Sequence, residues 1–323
     1  MIGSLSYKTK QFFFVLIKLS IVVGAFYFIY HRLTNNDQLD FSVFIDFISK
    51  NDVFSLKHAL FVFFLTIFNW FFEILKWQNL VSFVKKITFK ESAEQSLGAL
   101  TASLFTPNRI GEYGAKTIYF ANQYRKRILL LNLLGNIAQM SVTFFLGIIG
   151  FSFFVNQFDV VIPFQKLSKL LLIVAFLGAF AFLGFQQDRF QIKGFSIRRI
   201  KDYVKEISLK THILNILYSL SRYVIFSFQF FYLLHIFKSD LGYFDAMIVI
   251  TSMYLLASII PSIFIFDVVI KGSVAVYLFS FVNVSEIMIL SIITVMWLLN
   301  FVIPSIFGSY YVLNFNWNNS IDQ

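Results

Sequence analysis

The sequence contains no cysteine. That excludes a disulfide framework, a thiolate metal site and thiol redox chemistry. Charge is scarce: Asp, Glu, Lys and Arg together make up 14% of the 323 residues. No HExxH, GxSxG or P-loop pattern occurs, so the usual metalloprotease, hydrolase and nucleotide-binding signatures are missing. The four histidines, His31, His58, His212 and His235, fall near the ends of apolar segments and form no ligand spacing. No catalytic residue, metal or cofactor is therefore expected, and the chain is read as a non-enzyme.

What the chain has instead is apolar mass. It is 58% hydrophobic, holds 45 Phe and has a mean hydropathy of +0.74. Several segments approach twenty apolar residues, the length needed to cross a bilayer. A spanning chain must satisfy its backbone internally, and segments of this length do so as helices. The expected fold is an all-α polytopic membrane protein with about six full spans. They fall near 11–30, 56–83, 128–155, 167–185, 211–237 and 285–312. Residues 41–48 suit a short interfacial helix, and 314–323 a polar tail.

Two stretches break this pattern. The first, residues 91–127, has a polar elbow at Pro107, Asn108, Arg109, Gly111 and Glu112, with Lys116 one turn further. Proline removes an N–H and disfavours helix in the residue before it, so helix cannot run through the elbow. Each arm is about 10 to 14 residues, roughly half of a 30 Å crossing. The second stretch repeats the design around Pro261, with Asp267 and Lys271 after the break. In both, acid and base are four residues apart, which places them on one helical face. Both stretches read as re-entrant helical hairpins. The first repeat covers about 56–155 and the second about 211–312, within one transmembrane domain spanning 1–313. The first unit begins outside and the second inside, so the topology is inverted, as in transporters with a site at the repeat interface.

The net charge of +10 is a topology signal before it is a nucleic-acid one. Segments assigned to the cytoplasm hold 15 Lys and Arg and the opposite side 6, which places both termini in the cytoplasm. The densest run, residues 189–210, is a topogenic loop or, as a second reading, a surface helix resting on anionic headgroups.

Eight ionisable residues are read as embedded well inside the membrane: Glu73, Lys76, Arg109, Glu112, Lys116, Arg222, Asp267 and Lys271. Such residues are costly in a bilayer and mark cavities or partners. Sequence spacing pairs Glu73 with Lys76, Glu112 with Lys116 and Asp267 with Lys271. It leaves Arg109 and Arg222 without a carboxylate. A surplus of guanidinium in a low-dielectric cavity suits phosphate, which arginine grips through parallel N–H donors. All eight are candidate substrate-binding residues.

The segments TPNRIGEYGAK, NWFFEILKW and PSIFIFDVVIKGS resemble the membrane region of lysylphosphatidylglycerol synthase and the stand-alone flippase-like proteins built on it. The likeness runs over about residues 10–312. The Pro–x–x–x–Gly–Glu elbow is met by Pro107, Gly111 and Glu112. The second elbow departs from the glycine-rich form: Phe264, Ile265 and Phe266 stand there, followed by Ile270-Lys271-Gly272. The resemblance implies movement of a lipid across the cytoplasmic membrane, in the best-known case an aminoacylated phosphatidylglycerol; the expectation of an anionic, phosphate-bearing headgroup comes from the arginines. It does not extend to aminoacylation, since the chain ends at Gln323 without the soluble synthase domain. Two other readings stand beside it: a non-transporting subunit that partners a lipid-modifying enzyme, and an intramembrane headgroup enzyme using Glu73, Glu112 or Asp267.

Overall fold

The computed structural model describes residues 16–20, 23–24, 27, 30, 41–50, 55–104, 106, 110–158, 197–259 and 267–315. Among them 85% are helical and none is in a strand. The helices are α1 (Phe41–Lys50), α2 (Leu56–Val81), α3 (Phe89–Ser103), α4 (Gly111–Thr117), α5 (Arg125–Gln157), α6 (Ile197–Glu206), α7 (Leu209–Ile236), α8 (Tyr243–Ile259), α9 (Asp267–Ser280), α10 (Glu286–Trp297) and α11 (Ile303–Asn314). A π turn at Leu298–Val302 joins α10 to α11 without a break. Three helical stretches, Leu56–Val81, Arg125–Gln157 and Glu286–Asn314, are long and apolar enough to cross a membrane. This is a helical membrane protein. The expected spans near 11–30 and 167–185 lie largely or wholly outside the described residues. The expected span at 211–237 falls on the 28-residue α7, which carries Asn215, Arg222 and Gln229 and is not one of those three stretches.

Helix α2 packs along α7, α5 along α7 and α8, and α11 along α3. On α2 the buried positions Asn69, Glu73, Lys76 and Leu80 recur every three or four residues and face the centre. Its opposite face carries Phe64, Ile67, Phe68 and Phe71, exposed as a lipid-facing stripe would be. Small residues allow the close approach. A Cβ on Gly308 of α11 would strike the Leu97 carbonyl and Thr101 of α3. One on Gly150 of α5 would strike Thr251 of α8.

The two ends of the bundle differ. At one end the last turn of α2, the first turn of α5 and the end of α6 share an apolar cluster built on Trp77, Val81, Phe120, Ile128, Tyr203 and Ile207. Lys85, Lys86, Lys126, Arg127, Lys201 and Lys205 are exposed around it. Lys18 joins this end through a 3.0 Å bond from Nζ to the Leu313 carbonyl. At the other end Phe44, Phe154, Phe230, Phe237 and Phe279 belong to a second, larger cluster. Two helices stop there in the same way. Lys238 (φ 60°) and Asn283 (φ 56°) take the left-handed conformation. The next N–H reaches back five residues, Ser239 to Leu234 and Val284 to Phe279.

Two expectations change in detail. The sequence predicts about 10 to 14 residues for the second arm of the first elbow. Its helix has seven, after which residues 118–124 turn back toward α5. The helix in the basic run does form, as α6. However, Tyr203 is 7% and Ile207 4% exposed because they pack against the bundle end, with Tyr203 edge-on to Phe83. That part of its apolar side is spent on protein and is not available to headgroups.

Candidate functional site

The polar faces of α2, α5 and α7 converge on one cavity of about 290 Å³. Glu73, Lys76, Glu112 and Arg222 line it, with Asn69, Asn136, Gln139 and Asn300. Trp70, Tyr223, Phe226, Tyr254 and Phe301 supply its aromatic wall. Helical spacing explains the convergence. Asn132, Asn136, Gln139 and Thr143 recur at four, three and four residues along α5, and Asn215, Ser219, Arg222, Phe226 and Gln229 do the same along α7.

Glu73 is the hub. Its Oε2 accepts from Lys76 Nζ at 2.8 Å and from Arg222 Nη1. The same guanidinium donates from Nε to Asn69 Oδ1 at 3.1 Å and from Nη1 to Gln139 Oε1 at 3.3 Å. This corrects the expectation that Arg222 lacks a carboxylate. Counting along the sequence pairs neighbours on one helix, whereas Glu73 reaches across to α7 because α2 and α7 pack side by side. The Arg222 side chain keeps 20% of its surface accessible, against 4% for Lys76. Both line the cavity, and the arginine presents the larger surface.

The second ion pair joins Lys116 Nζ to Glu112 Oε1 at 2.8 Å, as its four-residue spacing suggests. Lys116 is 1% exposed. Its ammonium also donates to Asn132 Oδ1 at 2.9 Å and lies 4.3 Å from the Trp77 ring centre, in range of a cation–π contact. Glu112 is in the first turn of α4, where the helix dipole favours an acid. Just before it, Gly111 N–H donates to Thr106 Oγ1 at 2.9 Å, and a Cβ on Gly111 would crowd the Ala102 carbonyl at 3.1 Å. The glycine is what lets the elbow fold back against α3.

Five of the eight sequence candidates are therefore placed at or beside one site: Glu73, Lys76, Glu112, Lys116 and Arg222. Three bases face two acids, a formal surplus of one positive charge. Arg109 and Pro107 lie outside the described residues, as do Pro261 and the side chains of Asp267 and Lys271. Among the described residues no cluster of three or more His, Asp or Glu could hold a metal ion.

Sequence spacing already puts Asn132, Asn136 and Gln139 on one helical face, but it missed three other amides of the site. Asn69, Gln229 and Asn300 are 4%, 0% and 3% exposed and are bonded to one another across three helices. A signal was present. Asn69 is one turn before Glu73, Gln229 two turns after Arg222, and Asn300 four residues before Pro304. No protein-family model matches the chain, and no curated protein matches it.

Proposed function

We propose that the protein is a lipid transporter that carries an anionic, phosphate-bearing headgroup across the cytoplasmic membrane through this cavity. The observation that carries the reading is Arg222. A guanidinium held inside the bundle is expensive unless it serves a ligand or pathway, and this one keeps part of its surface toward a polar cavity. Nε and Nη1 are held by Asn69, Glu73 and Gln139, while no described residue accepts from Nη2. A phosphate oxygen can take that donor, and Lys76 keeps Glu73 neutralised when the arginine turns to it.

Size supports the same reading. Small-molecule pockets run from about 300 to 1,000 Å³. At about 290 Å³ the cavity lies at the lower limit of that range, room for a headgroup and not for acyl chains. Such a cavity lowers the barrier by replacing headgroup hydration with fixed amides and a cation during the crossing.

The topology proposed with it has six full spans, two re-entrant hairpins of opposite sense and both termini in the cytoplasm. The chain around α3 and α4 starts and finishes beside the basic cluster, where Ile87 and Phe120 both pack. The chain through α8 and α9 has buried residues of both helices in the other cluster. The basic residues gathered at the first end favour placing it in the cytoplasm.

Lipid retention tests the reading. Protein purified in native lipid, then analysed by mass spectrometry, is expected to retain phosphate-bearing lipid. Arg222→Gln should lose it, yet remain folded because Lys76 still balances Glu73. Equal retention by both proteins, or enrichment of uncharged lipid by the wild type, would overturn the assignment.

A further inference from the structure

We propose that Asn300 positions Arg222, acting through Asn69, and that Pro304 puts Asn300 in place. This rests on the reading of the cavity as a headgroup site and names the residues that set its geometry.

Pro304 has no N–H, and in a regular helix that N–H would reach the carbonyl four residues back, Asn300. The chain answers with the π turn Leu298–Val302. The freed Asn300 carbonyl accepts from Trp70 Nε1 at 3.0 Å, so α2 closes the gap that proline opens. One residue in the sequence thus creates a link between α2 and the turn between α10 and α11.

The side chain of Asn300 continues the link in one direction only. The Val62 carbonyl can only accept, so Gln229 must present Nε2 to it, at 3.0 Å, with Thr66 Oγ1 at 2.8 Å. That turns Gln229 Oε1 toward Asn300 Nδ2, at 2.9 Å. Asn300 Oδ1 then accepts from Asn69 Nδ2 at 2.9 Å. Asn69 is left with its oxygen toward Arg222 Nε, at 3.1 Å. Two backbone carbonyls set the order: that of Val62 orients Gln229, and that of Met296, accepting from Asn300 Nδ2 at 3.1 Å, orients Asn300 together with Gln229; Asn300 then orients Asn69, whose oxygen meets the guanidinium. Flipping any of them would set donor against donor inside the bundle. The relay is uncharged, so it aims the arginine without consuming the positive surplus of the site.

The test is a double-mutant cycle on full-length protein in vesicles, reading transport rate against the mole fraction of phosphatidylglycerol. The variants are Asn69→Ala, Asn300→Ala and both together, with Arg222→Gln as control. Asn300→Ala is expected to raise the half-saturating lipid fraction about tenfold and leave the maximal rate nearly unchanged, the scale of one hydrogen bond to a charged group. The double variant should be no worse than Asn69→Ala alone, because both remove the same support. Pro304→Ala supplies the missing N–H to Asn300 and should weaken half-saturation in the same sense without removing any cavity side chain. If the Asn69 and Asn300 effects multiply, Asn300 touches the lipid itself and the positioning role is wrong. Wild-type behaviour of Asn300→Ala alongside a crippled Arg222→Gln would also overturn it. An unaffected Arg222→Gln would instead sink the headgroup-site reading on which the proposal stands. Should Asn300→Ala fail to fold, Asn300→Gln and Trp70→Phe probe the same two bonds, and wild-type half-saturation in both would count against the proposal.

Discussion

Glu73 holds two cations on one oxygen, and the consequences of removing each partner are unequal. Glu73→Gln strands Lys76 and Arg222 together in the bundle. Uncompensated buried charge costs about 3–5 kcal/mol, so a large fall in melting temperature in detergent is expected. Arg222→Gln leaves the Glu73–Lys76 pair intact and should cost far less, on the order of 1–2 kcal/mol for the lost hydrogen bonds. Similar melting shifts for the two variants would contradict the hub role. These residues were legible in the sequence because a charge in an apolar run stands out. Their partners were less so. The four-residue pair Glu112–Lys116 follows from helix geometry alone, whereas Arg222–Glu73 spans 149 positions and depends on α2 lying against α7. Neutral amides such as Asn300 stand out in an apolar stretch too, but they carry no charge to name a partner, so their bonds across three helices could not be read from spacing.

At the scale of elements, glycine and helix-end residues decide how closely and how cleanly the helices meet. Gly308→Ala drives a methyl into the Leu97 carbonyl of α3 and should cost about 1–3 kcal/mol, the usual range for overpacking. Gly114→Ala, where an added Cβ meets nothing within 4 Å, should be neutral or slightly stabilising. Comparable destabilisation by both substitutions would show that the α3–α11 contact is looser than described. Lys238→Gly should raise the melting temperature, since a left-handed lysine costs about 1 kcal/mol that glycine does not incur. The lengths of α2, α5 and α7 follow from apolar runs and could be read directly. The seven-residue α4 could not, because IYFANQY after Thr117 has no proline or glycine to announce the turn. The π turn was equally hidden: Pro304 marks a break, but only the Trp70 donor on another helix makes this solution affordable.

For the whole molecule, the basic end and the phenylalanine-rich end should face opposite sides of the membrane. A single cysteine at Lys201, exposed on α6, should be labelled by an impermeant reagent only from the cytoplasm. One at Asn283 should be labelled only from outside. Labelling of both from the same side would refute the proposed orientation. The membrane class was legible from composition alone, since no soluble core needs this much phenylalanine. That the polar faces of three helices meet at one cavity was not legible, because helix pairing is set by side-chain fit along whole faces.

The central claim is that the cavity conducts an anionic headgroup past Arg222. Its most direct measurement compares flipping of a fluorescent phosphatidylglycerol with that of a fluorescent diacylglycerol in vesicles containing the purified protein. The account predicts faster movement of the anionic lipid, with that advantage abolished in Arg222→Gln. Equal rates for the two lipids in the wild type, or an advantage that survives Arg222→Gln, would contradict it.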